Sequence, residues 1–287
     1  MSFNHSVCDG RGAAQFLRGV GEIARGEAKL SIEPVWQREV LKPHQPPTVH
    51  FQHDEFVESG FLLNPIPAID LATVKADDPV NSSFFFSSDA LQRLKQPIAE
   101  ELKENCSTFE VLTALAWRAK IIALGIPGNR AVRLIFGVDV RKVLKPPLPE
   151  GYYGNALGIG CVRNMTAKEV VTGSIADIVK MVMAAKVSIN EEYVRSSISF
   201  LEMKRSCPEI TDVRICAEDT VVTDWRWLGF NQVDFGWGEP ILARPGKFLA
   251  CPILMLPPPQ SKKGVMMLFC VPPSALKALE TEMHRLA

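Results

Sequence analysis

The sequence predicts a mixed α/β (α+β) fold, and three observations carry that reading. Apolar residues recur at spacings of three and four in some segments and alternate strictly in others, and the two kinds are interleaved along the chain. Capping pairs of the form S-x-x-E and T-x-x-E stand before apolar runs, at Ser107–Glu110 and Thr166–Glu169. With 287 residues, 47% of them hydrophobic, the chain can build a sizeable core in one large domain or two. It holds no internal repeat and no low-complexity tract.

Each element follows from its own pattern. Residues 12–24 predict a helix, because Ala13, Phe16, Leu17, Val20 and Ala24 fall on one face and Gly26 follows as a stop. From Pro34 to Pro79 the periodicity fades and prolines recur at 34, 43, 46, 47, 65, 67 and 79. A segment that long reads as an ordered crossover between two domains rather than a packed element. Ser83 to Ser87 is a short strand, and Ser88 to Glu104 a helix with a polar face. Ser107 and Glu110 then open a helix that is apolar almost all round, with Leu112, Leu115, Trp117, Ile121 and Leu124, so it should be buried. Gly125 and Pro127 end it. Val132, Leu134, Phe136, Val138 and Val140 alternate as a strand, which puts Asp139 and Arg141 on its other face. "GYYGNALGIGCV" is a glycine-rich turn leading into a further strand. Thr166 and Glu169 open one helix carrying Ile175, Ile178, Val179 and Val182. A strand over 212–224, the glycine-aromatic loop "DFGWGEP", strands near 248–256 and 265–271, and a last helix aligning Leu276, Leu279, Met283 and Leu286 complete the chain.

Composition excludes several classes of function. Thirty-two basic and 32 acidic residues cancel, and no basic stripe argues for nucleic acid. No apolar run approaches the roughly 20 residues that span a bilayer. Met1 is followed directly by polar Ser2, Asn4 and His5, without the apolar stretch of a secretion signal. The seven cysteines are odd in number and scattered, with no C-x-x-C pair. Reduced thiols in a cytosolic protein fit that pattern better than a disulfide framework or a metal site.

Two stretches hold the candidate chemistry. "HSVCD" places His5 at a strand end just before the first helix, where an imidazole can take a proton at neutral pH. A surface or capping histidine is the plainer alternative. Asp9 could orient that imidazole, cap the helix or pair with an arginine. Once the chain turns into the helix the aspartate points away from the ring, which favours a structural role. Ser6 and Cys8 lie too near His5 to serve reliably as its nucleophile, and no G-x-S-x-G elbow exists. His44, His50 and His53 lack the spacing of a zinc site and should be solvent-exposed. In "VVTDWRWLGFNQVDFGWG", Thr223 and Trp225 share one strand face and can present a hydroxyl and an indole N–H to one ligand. Gly236 and Gly238 around Trp237 imply a tight, packed aromatic turn, with Asp234 structural.

Together these stretches resemble the plant BAHD acyltransferases, whose two signatures are matched by "HSVCD" (HxxxD) and "DFGWG". The likeness extends over "STFEVLTALAWRA", "VDVRKVLKPPLPEGYYGNALG" and the final strand–helix unit, essentially the whole chain. "GEIARGE…PVWQRE" is similar to the branch with alcohol and taxane acyltransferases. The resemblance implies a two-domain fold like that of chloramphenicol acetyltransferase. It implies acyl transfer from acyl-CoA, as co-substrate, to an alcohol or amine of specialised metabolism, with no resident cofactor or metal. His5 would be the general base, Trp225 the oxyanion donor and Thr223 an acceptor-positioning residue. Asp9 with Arg141, and Asp234 with Gly236, Trp237 and Gly238, would be structural; Ser107 and Thr108 would lie near CoA, with helix capping an equal reading. The family is usually monomeric and cytoplasmic, with no nucleic-acid or membrane partner. Its HxxxD lies near mid-chain, so about 150 residues, a domain's worth, are expected to be absent, with Met1 an internal methionine of a truncated sequence. Residues 1–33 would then be the remnant of the first domain, 34–80 the crossover and 81–287 the second domain. Such a piece would leave an apolar face exposed, and a catalytically impaired fragment that only binds CoA or a partner is the competing reading.

Overall fold

The computed structural model describes residues 3–53, 55–56, 79–205, 218–246, 252–259 and 262–286. Along them run α1 (Gly10–Ala24), β1 (Val80–Ser87), α2 (Ser88–Leu102), α3 (Thr108–Ala123), β2 (Ala131–Asp139), β3 (Leu157–Thr166), α4 (Ala167–Thr172), α5 (Ile175–Val187), α6 (Glu191–Met203), β4 (Asp219–Asp224), β5 (Pro252–Leu256), β6 (Gly264–Val271) and α7 (Pro273–Leu286). Helix starts are set chemically. Asp9, Ser87, Ser107, Thr166, Ser174 and Asn190 each sit at an N-cap and accept a first-turn N–H. Both capping boxes read from the sequence are formed.

The strands make one six-stranded mixed sheet in the order β1-β6-β5-β4-β2-β3. β2, β4 and β5 are parallel neighbours, and the remaining pairs are antiparallel. α3 packs between α5 and α7 across one face of the sheet. Trp117, Phe86, Phe136 and Phe269 are fully buried in that layer. Strand alternation divides the faces: Ile253 and Met255 of β5 join the helix-side core, while Leu254 and Leu256 join Leu268, Trp225 and Met266 on the opposite face. β2 is buried on both faces, so Arg133 lies inside and forms a two-bonded ion pair, both bonds 2.8 Å, with Asp219 on β4.

Two expectations are corrected, and one helix was not expected. The helix opened by Thr166 is two helices, because Gly173 is extended and Ser174 caps a new start by accepting from Ala176 N–H. α6, started by the Asn190 cap, is the helix no expectation covered. The crossover is docked, not merely ordered: it contains a short 3₁₀ turn at Arg38–Leu41, and Val35 pairs with Tyr152. The Val40 carbonyl accepts from Arg195 of α6 at 2.6 Å. The strand expected over 212–224 is described over Asp219–Asp224; 212–217 lie outside the described residues, as do 248–251 of the next strand and 57–78 of the crossover.

Candidate active site

His5 lies in an exposed turn, residues 5–7, that leads into α1; it does not end a strand in the described residues. The turn is closed by Val7 N–H on the Asn4 carbonyl (3.0 Å) and by the Asn4 side chain accepting from Ser6 N–H and Oγ–H. Asn155 donates its amide to the His5 carbonyl at 2.7 Å. The Arg38 guanidinium donates to the carbonyls of Ser6 and Val7.

Asp9, 2% exposed, is fully engaged behind that turn. Its Oδ1 accepts from Gly12 N–H (2.9 Å) and the Arg141 guanidinium (3.0 Å). Its Oδ2 accepts from Ala156 N–H (3.1 Å) and stands 2.9 Å from Arg141 Nη1. Helix cap and arginine partner are therefore one and the same arrangement, and no carboxylate lone pair is directed to the imidazole. Burial opposes the charge on Arg141, but Asp9 and Asp139 outweigh it and raise its pKa. Burial and the neighbouring Asp9 push the Cys8 thiol up, against the pull of Arg38, so it is held protonated and is a poor nucleophile.

Thr223 and Trp225 lie on the sheet face turned away from the helices. Thr223 is registered with Leu254, and Trp225 packs with Leu254, Leu256 and Leu268. Trp225 N–H donates to the Met255 carbonyl at 2.8 Å, extending the ladder, and its indole stacks on Phe230 at 5.0 Å. Leu228 N–H bonds back to the Trp225 carbonyl, and the Leu228 side chain sits against Gly10. The first turn of α1 and the Trp225 segment are thus neighbours. Among the described residues no hydrogen bond joins His5 to Thr223 or Trp225.

Asp234 accepts from the N–H groups of Gly236 (2.7 Å) and Gly238 (2.9 Å), which hold its carboxyl below the ordinary aspartate range. Gly236 and Gly238 take φ of 108° and 95°, which a side chain would strain. The guanidinium of Arg25, at the C-cap of α1, donates to the Asp234 carbonyl, and Gly21 of α1 lies close against that carbonyl. The loop itself is not packed as expected: Trp237 is 91% exposed, because its two flanking glycines turn it outward. At the start of α3, the Ser107 hydroxyl is committed to the capping box, and Thr108 lines a cleft of about 550 Å³ with Gln92, Lys95 and Asn105. A larger cleft, about 950 Å³, lies between the crossover and the start of α6 and includes none of the candidate residues.

His53 is buried, not exposed as expected. Its Nδ1 lies 2.8 Å from Glu55 and its Nε2 2.7 Å from Ser196 Oγ, which also accepts from the N–H groups of His50 and Phe51. The order Glu–His–Ser is that of a nucleophilic relay. Phe51, Tyr193, Phe56 and Phe200 wall off the imidazole, and the serine oxygen is occupied by backbone donors. What the arrangement does is fasten the crossover to α6. No periodicity announces it, and the pairing spans 143 residues.

A family model described as the Transferase family matches residues 1–286. Taxadien-5-alpha-ol O-acetyltransferase of Taxus chinensis is 36% identical over 292 aligned residues, covering 99% of this chain and 62% of its own length. 3'-N-debenzoyl-2'-deoxytaxol N-benzoyltransferase of Taxus canadensis is 36% identical over 289, covering 98% and 61%. The chain therefore spans about three fifths of these relatives. Among solved structures, F. sporotrichioides TRI101 complexed with coenzyme A and T-2 superposes with a TM-score of 0.75 at 16% identity, over 96% of this chain and 64% of that one. At that identity the likeness is one of fold. No helix of the described residues is long and apolar enough to cross a membrane.

Proposed function

Because the chain belongs to the BAHD transferase family, we propose that it carries the catalytic half of an acyl-CoA-dependent O-acyltransferase acting on a small alcohol. The observation that carries the reading is the division of labour within H-x-x-x-D. The Asp9 carboxylate is consumed by Arg141, Gly12 and Ala156, while the residue four positions earlier, His5, is exposed. A histidine without an orienting carboxylate and without a nucleophilic serine or cysteine beside it acts as a base on the acceptor itself.

In this reading His5 takes the acceptor's hydroxyl proton as the oxygen attacks the thioester carbonyl. The new C–O bond forms and a tetrahedral oxyanion results. Trp225 donates its indole N–H to that oxyanion and Thr223 orients the acceptor. Collapse breaks the C–S bond, and the imidazolium returns its proton to the departing CoA thiolate. No acyl-enzyme is formed. Lys95 and the start of α3 at Thr108 offer a cation and helix N–H groups to the phosphates of CoA. The Asp9–Arg141 pair and the Asp234 loop tie α1 to the sheet domain. In this reading the protein works in the cytoplasm without a resident cofactor.

An amine acceptor is the second reading, because one relative at 36% identity is an N-benzoyltransferase by name. The test is CoA release from acetyl-CoA and benzoyl-CoA with matched alcohol and amine acceptors. Faster release with alcohols is expected, and faster release with amines replaces the first reading with the second. Coenzyme A binding without turnover by any acceptor would identify a fragment that only binds.

A further inference from the structure

The turn that bears His5 is captured at three successive carbonyls by side chains from elsewhere in the fold. Asn155 donates to the His5 carbonyl at 2.7 Å, and Arg38 forks across the carbonyls of Ser6 and Val7. These carbonyls precede the helix and have no place in its ladder, so water could satisfy them equally well. Their capture therefore fixes geometry more than it satisfies hydrogen bonds.

The two donors are brought to one place by the docked crossover. Val35 pairs with Tyr152, and Val35 N–H donates to the Gly151 carbonyl at 2.9 Å, which sets Arg38 three residues beyond one strand of the bridge and Asn155 three residues beyond the other. Arg38 is stacked over Trp36 at 3.8 Å, and Trp36 contacts the ring of Tyr153. The planar guanidinium is thereby oriented before it reaches the turn. Asp9 anchors only the end of the turn, four residues after the imidazole. A single anchor leaves residues 5–7 free to pivot, and a displacement of about 1 Å at a reacting group can cost about 100-fold in rate.

We propose that Arg38 and Asn155 are positioning residues that hold the backbone of the His5 turn in register. This rests on the reading of His5 as the base, and the test separates the two. Wild type, Arg38→Ala, Arg38→Lys, Asn155→Ala and His5→Ala are compared by hydrogen–deuterium exchange resolved to residues 5–8 and by CoA release. Arg38→Ala and Asn155→Ala should speed exchange of the Ser6 and Val7 amides about tenfold while the α1 amides and the thermal midpoint stay unchanged. Their kcat should fall with KM for acyl-CoA unchanged. Arg38→Lys should restore neither readout, since a point charge cannot bridge two carbonyls. Unchanged exchange at Ser6 and Val7, or full rescue by lysine, would overturn the assignment. If His5→Ala turns over as well as wild type, or if wild type itself shows no turnover, it is the catalytic reading that fails, and the exchange data still decide the role of Arg38 and Asn155.

Discussion

Asp9 and Arg141 stand 2% and 8% exposed, and between them they satisfy two backbone N–H groups and the carbonyls of Tyr152 and Gly154. Removing Arg141 leaves the buried Asp9 carboxylate without its cation, and removing Asp9 leaves Arg141 with only the more exposed Asp139, at 3.2 Å, against the cost of its burial. Asp9→Ala or Arg141→Ala should cost about 3–5 kcal/mol, read as a fall in the denaturant midpoint. A loss under about 1 kcal/mol would mean that the pair behaves as a surface contact. Gly12 makes an equally local demand, because a Cβ there would stand 2.0 Å from the Tyr153 carbonyl oxygen. Alanine gains at most about 1 kcal/mol of helix propensity over glycine. The clash outweighs that gain, so Gly12→Ala should lower the thermal midpoint, and a raised midpoint would contradict the close approach. The spacing of His5 and Asp9 is legible in the sequence, but the partner of Asp9 is not. Arg141 lies 132 positions away, and only the family likeness points to it.

Elements whose stability is written locally were legible: the Ser107 and Thr166 caps open helices, and β2 alternates, where the residue patterns put them. The exceptions have physical causes. Periodicity runs on through Gly173, while hydrogen bonding stops there. The crossover carries no periodic face because scattered contacts hold it to α6: Val40 and Leu41 on the Val194 cluster, Phe51 and Phe56 on Tyr193 and Phe200, and the polar bonds of Ser196 and Arg195. Ser196→Ala would strand two backbone N–H groups and the His53 ring nitrogen at once, so a loss of about 2–4 kcal/mol and faster proteolysis between residues 42 and 56 are expected. Wild-type stability in that variant would remove the fastening role. At the start of α3, burial would raise the Glu110 carboxyl, but Lys186 and the Ser107 N–H outweigh it and hold it below the ordinary glutamate range. A depressed carboxyl contributes stability that is present above the unfolded-state pKa and lost as pH falls through the folded one. Glu110→Gln should therefore be less stable than wild type at pH 7, and the gap should close below about pH 4 in thermal melts. A gap independent of pH would show that the capping geometry, not the charge, is what matters.

Over the whole molecule, large apolar side chains stand open on α1 and on the segment after β4: Ile23 at 64%, Trp227 at 79%, Trp237 at 91% and Ile241 at 79% exposed. Exposed apolar area of this kind favours association. Sedimentation at rising concentration should show self-association, relieved in a Trp227→Ser/Trp237→Ser/Ile241→Ser variant; a monomer at every concentration would contradict this. The central proposal is that His5, in the turn before the first helix, removes the acceptor proton. The most direct test is CoA release by His5→Ala against wild type at saturating acetyl-CoA or benzoyl-CoA and alcohol. The account predicts a drop of about 10²–10⁴-fold with the thermal midpoint unchanged; release at the wild-type rate would contradict it.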